Sequence, residues 1–523
     1  MIDLDMLPDS ARLLVRAELE RLACQLQDQA SRIESQQREL RLKDETIRWL
    51  NLRLWGPKGE KLTPDHTQLL LAEPSVTEAE IAGEASRPAP AAPPVPKAKA
   101  PRANHPGRHP LPAHLERREV IVPCHPEDCR CPQCGAERPV IGYETAEELV
   151  IEPARFHVRV VKREKRGAHC LPEQGVATAP APVKILPKSK LANETIIEVV
   201  VQKYQQHKPV YRWCGDVWEN QRLELNRGTV IQEVLAVGGL LQAVTRAQRA
   251  ELLAGHYLQA DETPVPVQDR RRRGQNHKAF LWQYSVPGGN VVFDFQMSRA
   301  REGPKTFLQG FQGIVQSDGY DAYDKLGPGI EYAGCLTHVR RGFVEAVKLA
   351  PADPLPAELV QLLQPVYAVE AAARKQGLEA AGRLALRQAQ SVPLLNAWRE
   401  RMLAIRQQAT PGSKLAGACN YAFNQWARVT LFLTRGEIEI DNNWCEGGMR
   451  PVVLGRKNWL HIGSEQAGPK VAAMASIVET CRRLEINLRE YLGDILPRLS
   501  QGLNKEVPRL TPLAWKAARL RKT

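Results

Sequence analysis

The sequence predicts a multidomain α+β protein: an N-terminal coiled coil, a small zinc-binding β module, a helix-turn-helix unit and an α/β domain with a helical insertion. Three observations carry that prediction. An apolar residue recurs at every seventh position near the N-terminus, clustered cysteines precede a basic alternating stretch, and acids fall at strand ends in the C-terminal half. At 523 residues the chain is too long for a single core. Its 43% apolar and 25% charged content is that of an ordinary globular protein.

Charge and composition narrow the class. Lys and Arg outnumber Asp and Glu by 72 to 59, a net +13. Such an excess suits a polyanionic partner, because each neutralised phosphate releases counterions. No run of about 18 apolar residues is present, so no membrane partner is expected. The start, MIDLDMLPDSARLL, lacks the basic and apolar blocks of a signal peptide. Eleven cysteines in such a chain read as reduced thiols, some of them metal-bound, and a cytoplasmic location is expected.

Residues 1–56 form the predicted coiled coil. Leu19, Leu26, Ile33, Leu40, Ile47 and Leu54 fill one heptad position, while Val15, Leu22, Gln29, Gln36, Lys43 and Leu50 fill its partner. An unbroken row of this length predicts a homo-oligomer. The helix should stop at Gly56-Pro57. Residues 57–113 then form a Pro/Ala-rich linker whose prolines block helix and central strand, which should hold the coiled coil away from the rest.

Residues 114–190 are expected to form the zinc module. Cys131 and Cys134 have zinc-knuckle spacing, and Cys170 lies far enough downstream to close a small β domain. His169, Cys124 and Cys129 compete for the fourth place, with His169 retained. Between them the stretch FHVRVVKREKRGAHC offers Arg159 and Arg163 to a phosphate backbone. Residues 191–250 read as three helices, the last capped at Asn226. A tight turn before that helix fits a helix-turn-helix unit, with Arg227, Thr229 and Gln232 facing a DNA groove.

From 251 to 480 the pattern becomes that of an α/β domain. HYLQADETPVPV gives a first strand ending near Asp261, stopped by Pro264 and Pro266. KAFLWQYSV and NVVFDFQM form a hairpin across Pro-Gly-Gly-Asn, a helix follows at about 303–310, and GIVQSDGYDAY runs a fourth strand into Asp318. This order is that of a ribonuclease-H-like fold, in which strands one and four end side by side. A third carboxylate must come from a later helix. The best candidate is Glu446, with Asp441 as the helix cap and with Glu437 and Glu439 as alternatives on a strand. Residues 352–430 read as the helical insertion, and 481–523 as a basic C-terminal region. Three carboxylates suit hard divalent ions, Mg2+ or Mn2+, two of them at one phosphodiester.

The blocks ADETPVPV, SDGYDAY, CLTHVRR, DNNWCEGGMRPVVLGRKNWLHIGSEQ and VETCRRLEIN resemble those of the insertion-sequence-66 family of bacterial transposases. The resemblance extends from the heptads and WGPKGEKL to TPLAWKA. It implies a DDE transposase with Asp261, Asp318 and Glu446 as its triad, acting on transposon-end and target DNA at the bacterial nucleoid. Accessory proteins of the same element are implied as well. Two positions depart from the family pattern. A second CxxC-like pair is replaced by His169-Cys170, and the third acid is followed by Gly447 where the family has Arg. Arg450, Arg456 and Lys457 are then expected to reach phosphate, and His338, Arg340 and Arg341 to lie beside the active site. A DNA-binding regulator without catalysis and a structure-specific nuclease are the competing functions. A regulator has no use for the acids.

Overall fold

The computed structural model describes residues 9–55, 156, 158–161, 165–167, 176–178, 180–269, 275–502 and 504–521. The linker, Arg163 and the four expected zinc ligands Cys131, Cys134, His169 and Cys170 lie outside these residues.

Helix α1 (Asp9–Trp55) contains no Gly or Pro and ends one residue before Gly56. Leu19, Leu26, Ile33, Leu40 and Ile47 are each at least half exposed, so the heptad row is uncovered in the single chain. The expectation that α1 stands clear of everything downstream is corrected. Arg48 donates to the carbonyl of Leu349 at 3.0 Å, and Glu45 accepts from the Lys414 N–H at 3.0 Å. Polar contacts from a face lacking the heptad leucines dock its C-terminal end.

Two short antiparallel strands, β1 (Lys165–Gly167) and β2 (Val176–Thr178), pair Arg166 with Ala177. Three helices follow: α2 (Asn193–Tyr204), α3 (Val210–Gln221) and α4 (Arg227–Leu253). Asn226 caps α4 by accepting the Thr229 N–H at 3.0 Å.

A five-stranded sheet comes next: β3 (Tyr257–Gln268), β4 (Asn276–Ser285), β5 (Val291–Gln296), then, after the short helix α5 (Glu302–Phe307), β6 (Gly313–Gln316) and β7 (Ile330–Ala333). The order is β5-β4-β3-β6-β7, antiparallel from β5 to β3 and parallel from β3 to β7. The β4–β5 turn carries Gly288 at φ +69°, a conformation glycine adopts without strain. Pro264 and Pro266 do not stop β3, which pairs with β4 as far as Gln268. β6 pairs with β3 only to Gln259, and the one further bridge on that side, to Ile462, uses the Pro266 carbonyl and the Gln268 N–H, so neither proline nitrogen is needed as a donor. The fifth strand, β7, was not anticipated.

Helix α6 (Leu336–Leu349) leads into α7 (Pro354–Lys375), α8 (Ala380–Leu386), α9 (Val392–Gln408), α10 (Lys414–Asn424) and α11 (Trp426–Val429). The chain returns through residues 430–442 to α12 (Asn443–Trp459) and ends in α13 (Gly468–Arg483), α14 (Leu488–Ser500) and α15 (Pro512–Leu520). Residues 437–440 form no strand, contrary to expectation; they run as a strap beside β6.

One core joins Ile196, Trp213, Val230 and Val234 to Leu281, Phe293, Met474 and Ile477. The three-helix unit therefore shares its core with the sheet and α13. Helix α4 is long and apolar enough to cross a membrane by length and composition. Here Val230, Val237, Leu241 and Val244 pack it into this core, and Gly238 brings it so close to the Lys470 backbone that a Cβ would clash. A second core fills the space among α6, α7, α9 and α10, and a third lies under the opposite sheet face.

Between the first two cores runs a ladder of buried amides. The Gln259 amide donates to the Gln316 side-chain oxygen at 2.9 Å and to the Asp441 carbonyl at 2.8 Å. Gln316 in turn donates to the carbonyls of Gly334 (2.9 Å) and Glu439 (2.8 Å). Gln259 also accepts the Cys445 N–H at 3.1 Å, and Gln283 donates to the Cys445 carbonyl at 3.0 Å. Truncating Gln316 to Ala strands two buried carbonyls. We expect a loss of about 2 kcal/mol or more in urea unfolding, read from the midpoint at unchanged slope. A loss near zero would mean the ladder is redundant.

Candidate active site

The register of the sheet sets the first two acids. Gln259 pairs with Gln316 in the parallel β3–β6 ladder, and Asp261 and Asp318 each stand two residues further on. Beyond Gln316 the chain leaves the sheet and turns at Gly319, whose φ of +87° suits glycine. A Cβ there would also press on Gln425 and the Tyr421 hydroxyl at 3.3 Å. Asp318 accepts the Tyr320 N–H at 3.0 Å through its carboxylate, while its backbone carbonyl accepts from Tyr421 at 2.7 Å.

The third acid comes down from α12. Asn442, rather than Asp441, occupies the cap position. Its amide donates to the Ala260 carbonyl at 3.0 Å, tying the helix start to the strand that carries Asp261. Asp441 accepts the Asn443 N–H at 3.1 Å. Glu446 then falls in the first turn of α12, where the helix dipole favours an anion. The alternative Glu439 is committed elsewhere, paired with Arg383 at 3.0 Å and Arg374 at 3.3 Å.

Asp261 and Glu446 line one open groove with Glu262, Thr263, His338, Arg341, Arg450 and Lys457. Asp318 is not among its lining residues, yet its charge reaches Asp261. Burial pushes the Asp261 carboxyl well above the ordinary range, and the charges of Glu262, Glu446 and Asp318 push it further. On the other side of Glu446, Arg341 stands at 3.5 Å and His338 at 3.7 Å. The Oε1 atom of Glu446 is buried and receives no hydrogen bond. Behind the site, burial raises the Asp441 acid to about 7.

Crowded carboxylates and a bare carboxylate oxygen fit a hard divalent cation; the sulfur in the groove's lining, the Met449 thioether, is a soft ligand that such an ion does not favour. Among the described residues, no three His, Cys, Asp or Glu side chains converge as they stand into a metal-holding group. Asp318 is instead folded into its own turn.

The expected DNA contacts divide by helix phase. Arg450 and Lys457 are exposed along the groove, and Arg227, Thr229 and Gln232 are exposed on the first turns of α4. Arg159 is exposed and pairs with Glu194 at 2.9 Å. Arg340 is buried, turned from the groove toward Tyr367, so it cannot meet a phosphate backbone. Arg456 donates to the Thr263 hydroxyl at 3.1 Å and to the Pro264 carbonyl, bracing the far half of β3. Sequence reasoning missed Gln259, Gln316, Glu262 and Arg299. A signal was available for the first two, because the spacing Gln-x-Asp occurs at the end of both strands.

The electrostatics carry a stability prediction. The Asp261 acid is raised in the folded state, so its ionisation penalises folding above the ordinary Asp range and costs nothing below it. In metal-free buffer Asp261→Asn should therefore melt higher than the parent at pH 8, with the advantage shrinking as pH falls toward 4. An advantage that did not change with pH would contradict the crowding.

Comparison with known proteins places the chain. A family model described as "Transposase IS66 family" matches residues 188–470, more than half of the chain and all three acids. A second, described as "Transposase C of IS166 homeodomain", matches residues 41–120. Three similar proteins of Sinorhizobium fredii are each described as uncharacterized. The protein y4jD is 31% identical over 425 residues, covering 78% of this chain and 82% of its own length. The protein y4qI is 30% identical, with 77% and 76% covered, and y4hP is 27% identical, with 79% and 78% covered. The chain belongs to the IS66 family of transposases.

Proposed function

We propose that this chain is the DNA transposase of a bacterial insertion sequence, hydrolysing the phosphodiester at the element's ends and joining the freed 3′-hydroxyl to target DNA. The observation that carries the proposal is the placement of Asp261 and Asp318 two residues beyond the paired Gln259 and Gln316 of β3 and β6, with Glu446 lining the groove at Asp261. A sheet with three antiparallel strands followed by two parallel ones, with one acid on the first and another just after the fourth, supports a ribonuclease-H-like reading of the domain.

Asp261, Asp318 and Glu446 would hold two Mg2+ or Mn2+ ions. When bound, these would supply Lewis-acid charge to the attacking and leaving oxygens of an in-line displacement. The residues of the chain do the rest. Glu446 offers an oxygen with no hydrogen bond to give up. Arg450 and Lys457 line the groove two helical turns apart and neutralise flanking phosphates. Water attack at phosphorus releases the 3′-hydroxyl as leaving group, and that hydroxyl later attacks a target phosphodiester with release of a second 3′-hydroxyl. The bonds balance without a covalent protein–DNA link. A structural zinc on Cys131, Cys134, Cys170 and His169, element-end contacts from the first turns of α4, and accessory proteins of the element complete the reading.

Asp261→Asn, Asp318→Asn and Glu446→Gln should each lower end cleavage in magnesium on the order of 10³-fold or more, with end binding retained and steeply salt-dependent. Substantial cleavage by one variant would remove that residue from the triad. A parent that cuts ends but never joins them would be a nuclease.

Joining two ends to one target requires two active sites held together. The exposed row of α1 supplies a self-complementary surface, and Gln29, Gln36 and Lys43 opposite it limit register. Replacing Leu26, Ile33 and Leu40 by Ser should lower the solution mass in light scattering and depress paired-end joining, leaving single-end binding. An unchanged mass would locate the oligomer contact elsewhere.

A further inference from the structure

Glu262 follows Asp261 directly on β3 and so points to the opposite face of the sheet. That face is largely apolar, with Leu258, Ala260, Trp282 and Tyr323 in its core, and its other acid, Asp294, is bonded to Gln296 on β5. A carboxylate with 2% of its side chain exposed needs partners there. It has two. Arg299, just beyond β5, donates through Nε at 2.8 Å, and Tyr323 donates through its hydroxyl at 2.8 Å.

Both partners lead to the turn that carries Asp318. The Arg299 guanidinium lies 3.7 Å from the centre of the Tyr320 ring, and the Tyr320 hydroxyl donates to the Arg299 carbonyl at 3.1 Å. Tyr320 also donates its N–H to the Asp318 carboxylate. Arg301 reaches the Asp321 carbonyl at 2.9 Å. Residues 318–323 are thus gripped from below by β3 and by the chain after β5. The turn has left the sheet, so no ladder hydrogen bond beyond the Ser317 N–H holds it.

We propose that Glu262 is a positioning residue for Asp318: with Arg299 and Tyr323 it forms a clasp that fixes the acid-bearing turn beside Asp261. Adjacent acids on one strand then do different work: Asp261 faces the groove, while Glu262, which also borders it, commits its carboxylate to Arg299 and Tyr323. The inference rests on the metal reading of the site for its consequence, but the clasp itself does not.

The test uses the full chain without DNA. Glu262→Ala, Glu262→Gln, Tyr323→Phe and Arg299→Ala are compared by melting temperature, by amide hydrogen exchange over residues 317–324, and by Mn2+ titration followed by electron paramagnetic resonance. Asp318→Asn is the reference. Tyr323→Phe keeps the ring in its core and removes only the hydroxyl, so it remains informative should Glu262→Ala fail to fold. We expect faster exchange in the 317–324 peptide and Mn2+ affinity weakened roughly 10-fold, in the range found when an outer partner of a metal ligand is removed. Glu262→Gln, which keeps one acceptor, should fall between Glu262→Ala and the parent.

Unchanged exchange in folded Tyr323→Phe and Glu262→Ala overturns the clasp. So does faster exchange with parent Mn2+ affinity, when Asp318→Asn has lost it, because the clasp would then be structural only. Loss confined to the Glu262 variants, with Tyr323→Phe and Arg299→Ala like the parent, would also overturn it and make Glu262 itself a ligand. A parent that takes up no Mn2+ refutes the metal reading of the groove, and the exchange data still decide the clasp.

Discussion

The pairing of Gln259 with Gln316 is the contact on which the arrangement of the acids depends. Each glutamine stands two residues before an acid, so their 2.9 Å contact fixes which residue of β3 lies beside the point where the chain leaves β6. The same amides receive the strap that precedes α12, through the carbonyls of Glu439 and Asp441 and the Cys445 N–H. A neutral side chain with two donors and an acceptor suits this place. Lys or Arg there would pair with the acids, and Asp or Glu would add to an already crowded negative charge. The network satisfies the carbonyls of Gly334, Glu439, Asp441 and Cys445 and the Cys445 N–H without changing the charge of the groove next to it.

What the glutamines hold from one side, the helices α7 to α9 hold from the other. Arg387 and Glu370, both fully buried, make a bidentate pair at 2.7 and 2.8 Å. Arg387 also donates to the carbonyls of Phe432 and Arg435, each at 3.1 Å. Glu439 bonds back to Arg383. Buried charge is a poor source of net stability, but losing one partner leaves the other stranded, which makes such a pair a stringent fixer of position. Gly436 shows how tight the fit is, since any Cβ would collide with the Ala380 backbone. The helices between α6 and α12 therefore determine where the strap begins, and through it where Glu446 sits.

Charge on the two faces of β3 is handled in opposite ways. Below the sheet, Glu262 is matched by Arg299 and Tyr323, although burial still raises its acid. In the groove, Asp261 has no such cation. Among the described residues it accepts only from the N–H of the next residue, at 2.8 Å, while three other carboxylates press on it. Arg341 and His338 relieve Glu446 only from one side. The imbalance is local and directional, and a cation entering the groove would reverse it. Sites that work on phosphate commonly keep such unrelieved charge at some expense to stability.

The parts legible in the sequence were those governed by local chemistry. Alternation and turn residues placed β3 to β6, and Asn226 announced the start of α4. The acids stood out because Asp at a strand end before Gly, and Glu one turn into a helix, are readable patterns. Errors arose wherever an outcome depended on which side of an element faces what. Pro264 and Pro266 looked like strand breaks, but a proline breaks only a ladder that needs its nitrogen as a donor, and the pairing of β3 needs neither. Arg340 and Arg341 are neighbours in sequence, yet 100° of helical rotation buries one and turns the other to Glu446. Arg456 and Lys457 divide in the same way. The docking of α1 was hidden because Glu45 and Arg48 look like ordinary solvated positions of a heptad. Glu262 was overshadowed by the acid before it. A period-2 reading carried one step further would have put it on an apolar face, where a carboxylate has to be bonded to something.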